Sequence, residues 1–257
     1  VTDTACFAVD GAGYRPLDPA RSYWSRDAIG GRAVVGLMGY EIERRHGAGT
    51  LIPGRLTVDM YRLAPFQALH VQSRVIKDGR RLRLVEADLY AAGEPVARAT
   101  CQFLAPAPPP PGRAWSAAAW QSPHPDTLGL QREQESPRSF DLRWSMGSLG
   151  SMTAKGCWIR ERIALIEGQP FSPFARVAVA ADYVSPFTHA GDAGIRYINT
   201  DVTIQLHRLP AGEWIGFEST GHEASQGIAV GYCRLHDLDG AIGFVSCTAV
   251  ANERRRK

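Results

Sequence analysis

The 257 residues are enough to bury a substantial core, and 44% apolar with 21% charged residues describe an ordinary soluble globular chain. A net charge of +3, most of it in the terminal "ERRRK", is too small to argue for a nucleic-acid partner, and that tail reads as a frayed, solvated end. No run approaches the ~18 apolar residues of a membrane span, and the start "VTDTACFAVDG" lacks the basic and apolar regions of a signal peptide.

Along the chain, "DGAGYRP" is not a phosphate loop, because no helix follows it. Gly30-Gly31 opens "RAVVGLMGYEIERRHG", which predicts a helix with a long apolar face that ends on a Gly after basic residues. Three strand-like runs follow: "LTVDMYRL", "ALHVQSRVIK" and "LRLVEADLY…EPVARATCQFL". The Asp-Gly of "KDGRR" marks a hairpin between the second and third. The prolines of "APAPPPPGRAW" cannot continue a strand or helix, and the polar, Pro-rich stretch after them predicts a surface linker. The expected division is 1–106, a linker over 107–138, and 139–257.

In the last segment, strand-like "FDLRW" and "CWIRERIAL" precede a helix expected around 173–184. "YINTDVTIQLHRL", "EWIGFEST", "GIAVGYCRLHD", a "DLDG" turn and "AIGFVSCTAVANE" come next. "TVDMYRL" and "TIQLHRL" match at an offset of 146 residues, and "TCQFLA" falls on "SCTAVA" at the same offset, which suggests an internal duplication. One apolar helix wrapped by a curved antiparallel sheet, used twice, gives the expected fold class: α+β, a double hotdog. Helices buried on nearly all sides explain their poverty in charge. Against that background "FARVAVAADYVSP" carries one acid, Asp182, near the helix C-terminus, where the dipole disfavours it. The first helix has Gly36 or Met38 at the matching position.

The segments "AADYVSP", "YINTDVTIQLHRLPAGEWIGFEST" and "LHDLDGAIG", with "GGRAVVGL", "RLTVDMYRLAP" and "VIKDGRRLRLVEADLY" in the first half, resemble the thioesterase-like superfamily, in particular the double-hotdog type II acyl-CoA thioesterases. The resemblance covers nearly the whole chain outside the linker. It implies hydrolysis of a fatty acyl-CoA with no cofactor beyond the coenzyme A of the substrate. It also implies a carboxylate on the second helix that works with a Thr or Asn and a Gln on neighbouring strands. Carried over, Asp182 matches the carboxylate, and Asn199 matches its partner with Thr200 beside it. The Gln position falls on Cys247 or Thr248. Thr248 can donate to a water; Cys247 is a poor donor that lines the substrate space. A non-catalytic acyl-CoA or lipid-binding protein with a decayed site is the alternative this departure raises.

The residues read alone agree. A carboxylate at the edge of an apolar cavity is a base suited to neutral pH, and "YINTD" supplies polar company for it. The same Asp type is also common at helix ends and turns. Gly30 and Gly31 bind substrate in this reading, their free backbone N–H groups facing a thioester oxygen, although glycines also serve close packing. Asp201 is expected to play a structural role, paired with Arg208 or another base, or hydrogen-bonded to backbone. Cys247 as a nucleophile would require His207, His222 or His236 nearby, whereas a buried, inert thiol is the ordinary state of such a residue. A hydratase requires a His five residues beyond the Asp, where Phe187 stands; His189 is the nearest. Five Cys without a CxxC and scattered His predict reduced thiols, a cytoplasmic protein and no metal. A homodimer is expected, since hotdog sheets commonly continue edge to edge.

Overall fold

The computed structural model describes residues 5–47, 49–130 and 139–252; the terminal "ERRRK" and linker residues 131–138 lie outside them. The first half contains β1 (Ala5–Asp10), β2 (Gly13–Pro16), α1 (Gly31–His46), β3 (Ile52–Met60), β4 (Leu69–Asp78), β5 (Leu82–Ala91) and β6 (Glu94–Leu104). The second contains β7 (Phe140–Met146), β8 (Gly156–Glu161), β9 (Ala164–Ile166), α2 (Pro173–Ala181) and α3 (Val184–His189). The short β10 (Ala190–Gly191), β11 (Gly194–Ile195) and β12 (Tyr197–Asn199) follow, then β13 (Asp201–Leu206), β14 (Ile215–Ser225), β15 (Ile228–Asp237) and β16 (Gly240–Ala251).

Fourteen strands form one sheet in the order β7-β8-β14-β15-β16-β13-β3-β6-β5-β4-β2-β1-β9, with β12 beside β16. It curves around α1 and α2, and the architecture is the α+β double hotdog. The halves join through the repeated segment itself. β3 and β13 pair antiparallel with Thr57 opposite Thr203, and the two hydroxyls, 146 residues apart, are 3.2 Å from each other. The repeat thus pairs with itself across an approximate twofold axis. A second seam is parallel, with Phe7 of β1 opposite Ile166 of β9.

Small residues bring the two helices together. A methyl group at Gly36 would lie 2.4 Å from Val179 Cγ2, and one at Gly39 would lie 2.7 Å from the Ala178 Cβ. We expect Gly39→Val to overpack this seam and cost ~2 kcal/mol, read as a fall in the urea midpoint at constant slope.

The second helix is shorter than its apolar run predicts. Ser172 accepts from the Ala175 N–H at 3.0 Å and Pro173 occupies the first turn, which together fix the start. Pro186 ends it early: without an N–H it cannot bond the Asp182 carbonyl, which accepts instead from Ser185 N–H at 3.2 Å. The chain kinks there into α3. The β1–β2 hairpin was absent from the sequence expectations. The run "LRLVEADLY…EPVARATCQFL" divides into β5 and β6, with Ala92 and Gly93 at positive φ between them.

The linker is more firmly seated than its composition suggests. Trp120 packs tilted against Trp158 at 5.1 Å and His236 at 4.7 Å between ring centroids, and Gly156 and Gly216 leave the room it occupies. Trp158 Nε1 donates to Ser122 Oγ at 2.8 Å, and Arg143 on edge strand β7 donates to the Leu128 carbonyl at 2.6 Å.

Candidate active site

Asp182 sits at the C-terminal cap of α2, directly against the N-terminus of α1. A methyl group at Gly31 would stand 2.6 Å from Asp182 Oδ2 and 2.7 Å from Oδ1. The backbone N–H of Arg32 donates to the carboxylate. This placement resolves the electrostatic puzzle of the sequence. The acid is unfavourable at the end of its own helix, but it faces the positive end of the other. On its open side Asn199 Nδ2 donates to Oδ1 at 2.9 Å. Burial raises the Asp182 pKa above the usual carboxylate range. The Asn199 amide, the Arg32 charge and the Arg32 N–H offset part of that rise.

Arg32 is itself held from the second half. Its Nη2 pairs with the enclosed carboxylate of Glu161, and its guanidinium lies 3.9 Å over the Phe140 ring. Its Nη1 is buried with no hydrogen-bond partner among the described residues.

The other expected site residues divide between two faces. Along β16, Val245, Cys247 and Ala249 point into the core at 0%, 1% and 0% exposure. Thr248 alternates to the exposed outer face. There its N–H donates to Asp201 Oδ1 at 2.7 Å, and its carbonyl accepts from Thr200 N–H at 2.9 Å. Thr200, Asp201 and Thr248, with Asp59, Met60 and Tyr61, line an open depression of about 590 Å³. Burial raises the Asp201 pKa, and Asp59 adds to the rise. The structure therefore brings Asp182, Asn199 and Gly31 together and sets Thr200 and Thr248 at an outer rim. Gly30 is not a free donor, because its N–H bonds the Ala20 carbonyl at 2.8 Å.

Arg208 does not meet Asp201. It forms a two-pronged pair with Asp237 at 2.5 and 2.6 Å. Asp237 also accepts from Ala211 N–H at 2.7 Å and Asp239 N–H at 2.9 Å. The segments "HRLPAGEW" and "HDLDG" thus form a clamp at the opposite end of β13 and β16 from Asn199.

Cys247 has a histidine neighbour the sequence did not single out for it. His189 Nε2 lies 3.4 Å from its sulfur, and His189 Nδ1 lies 2.9 Å from Nδ1 of His222. His236 instead pairs with Glu218 at 2.9 Å. Burial pushes the Cys247 thiol well up, and the Asp182 and Asp201 charges add to this, so it is not a preformed thiolate.

Residues 106–248 match the sequence model of the family described as acyl-CoA thioesterase C-terminal domain. No curated protein is significantly similar in sequence. Among solved structures, a hot dog fold protein of unknown function from Alicyclobacillus acidocaldarius aligns with a TM-score of 0.77 at 14% identity, over 98% of this chain and 97% of that one. A protein provisionally named thioesterase II from Thermobifida fusca YX aligns with a TM-score of 0.75 at 17% identity, over 98% and 97%. Acyl-CoA thioesterase II from Mycobacterium marinum aligns with a TM-score of 0.66 at 16% identity, over 97% and 95%. At these identities the structures speak for the fold.

Proposed function

Because the chain belongs to the acyl-CoA thioesterase family, we propose that it hydrolyses a fatty acyl-CoA thioester to free acid and coenzyme A, with Asp182 as the base. The observation that carries the reading is the Asp182 carboxylate held between the Asn199 amide and the start of α1. Water attacks the thioester carbonyl carbon as its proton passes to Asp182. The C–S bond then breaks, and Asp182 returns the proton to the leaving thiolate. Asn199 fixes the carboxylate, and the Gly31 N–H, in the first turn of α1 where no intrahelical acceptor exists, is the donor placed for the carbonyl oxygen. Thr200 and Thr248 act at the rim, by holding β12, β13 and β16 together.

The test is release of free thiol over a panel of acyl-CoA chain lengths. Turnover should rise with pH through an Asp182 titration displaced above the ordinary carboxylate range, since the base works only when ionised. Asn199→Ala should lower kcat/KM about thirtyfold, since it removes the charge-assisted hydrogen bond to Asp182, and Thr248→Val less than threefold, since the bond its side chain gives up is to Asp201 at the rim. The second reading, binding without turnover, is favoured by one observation: a thiol, Cys247, occupies the inward strand position where an amide was expected. Acyl-CoA binding with no thiol release, unchanged by Asp182→Ala, would establish it.

A further inference from the structure

Behind the candidate site, three side chains from three elements form a continuous line: Cys247 on β16, His189 at the end of α3, and His222 on β14. His189 is buried at 5% exposure, while His222 is exposed. The line therefore runs from solvent to the inner face of the sheet. The fold makes room for it. Gly231 lies opposite Cys247 on β15, and a methyl group there would be 2.0 Å from Thr188 Oγ1 and 2.9 Å from His189 Cε1. Lys155 fixes the end of α3 by donating to the carbonyls of Ala190 at 2.6 Å and Phe187 at 3.2 Å. Tyr197 of β12 packs on both rings, at 5.6 and 6.0 Å.

The charged and titratable groups around the line are few. Lys155 and His222 face His189, and burial together with these two lowers its pKa to about 4, so it is neutral and has one N–H to give. Lys155 and Cys247 both act on the buried Cys233 of β15, and the Asp182 and Asp201 carboxylates act on the Cys247 sulfur. A neutral His189 has two arrangements. With His222 protonated, His222 Nδ1 must donate to His189 Nδ1. The His189 hydrogen is then on Nε2 and donates to the Cys247 sulfur, which also meets the Thr188 side chain and the Gly231 backbone N–H, and the thiol hydrogen, no longer drawn to His189, is free to turn toward the Asp182 side. With His222 neutral and accepting, His189 donates from Nδ1, and its Nε2 draws the Cys247 hydrogen away from the site.

We propose that His222, through His189, sets the direction of the Cys247 S–H, and that Cys247 is the strand donor of the site, available when His222 is protonated. His189 and His222 are positioning residues in this scheme. The proposal rests on the assignment of thioester hydrolysis to Asp182. It adds to the Asp182 acid limb an alkaline fall of about tenfold in kcat/KM, the worth of one hydrogen bond. His222→Phe should abolish that fall. Cys247→Ala should abolish it and lower the acid-side plateau about tenfold, whereas Cys247→Ser, with a hydroxyl that can turn either way, should restore both.

An alkaline fall unchanged in His222→Phe, with Asp182-dependent turnover intact, would overturn the proposal. The wild-type protein decides it independently of turnover. In long-range proton–nitrogen spectra of the ¹⁵N-labelled chain, His189 should move its hydrogen from Nδ1 to Nε2 as pH falls. A single His189 tautomer across the range would overturn it. Loss of thiol release in the wild type with a normal tautomer change would instead count against the assigned reaction.

Discussion

Asp182→Asn is expected to lower kcat/KM about a thousandfold and, at the same time, to raise the melting temperature. The first effect is the ordinary worth of a general base, ~10²–10⁴ in rate. The second follows from the direction of its titration. Burial raises the Asp182 pKa, so the folded state binds its proton more tightly than the unfolded state does. Stability therefore falls as pH rises from the unfolded to the folded titration, and at neutral pH the ionised acid is a net cost. The amide removes that cost and keeps an acceptor for the Asn199 amide. Thiol release and thermal melts at neutral pH, on the same preparations, check both. An Asp that merely ended a helix would give the opposite pair, an unchanged rate and a lower melting temperature.

Gly31→Ala is expected to lower kcat about a hundredfold with KM changed much less. The added methyl would lie 2.6 Å from Oδ2 and 2.9 Å from Cγ of Asp182, so the carboxylate must move by a sizeable fraction of an ångström. A displacement of that order costs about two powers of ten when reacting groups must be aligned. Gly30→Ala is the control. It has extended backbone at φ −74° and ψ 149°, and its nearest neighbour would be 3.4 Å away. We expect it to keep turnover within threefold. Equal losses in the two variants would mean that the start of α1 matters for packing alone.

Much of this was legible in the chain itself, and what was not had physical reasons. The apolar period of both helices, the Asp-Gly turn at Asp78-Gly79 and the repeat around Thr57 and Thr203 are local signals, and each corresponds to a feature of the fold. Asp182 could be picked out because a lone acid in an apolar helix is an anomaly on its own segment, whereas Asn199, the last residue of β12, was reached only through the family resemblance. The contact between Gly31 and Asp182 left no such mark, because it joins the start of one helix to the end of another. The His189–Cys247 contact spans 58 residues, and nothing near either residue signals the other. The hairpin of β1 and β2 did have a signal, Asp10-Gly11 between short apolar runs. Thr248 was separated from Cys247 only by strand alternation, which needs the register.

The start of α1 facing Asp182 also shows what an internally repeated chain can do that a pair of identical units cannot. In a pair of identical single units, an acid and a glycine entrance would each have to occur twice, since one sequence encodes both copies. Fusion removes that obligation. Here one half supplies the glycine start of the centre and the other supplies Asp182. The opposite helix start carries Ser172 and Pro173, and the acid that reaches it, Glu43, is bound to the Ser172 hydroxyl. The two copies have divided their labour, each supplying one component of a single centre. A change in either half can therefore silence the whole centre.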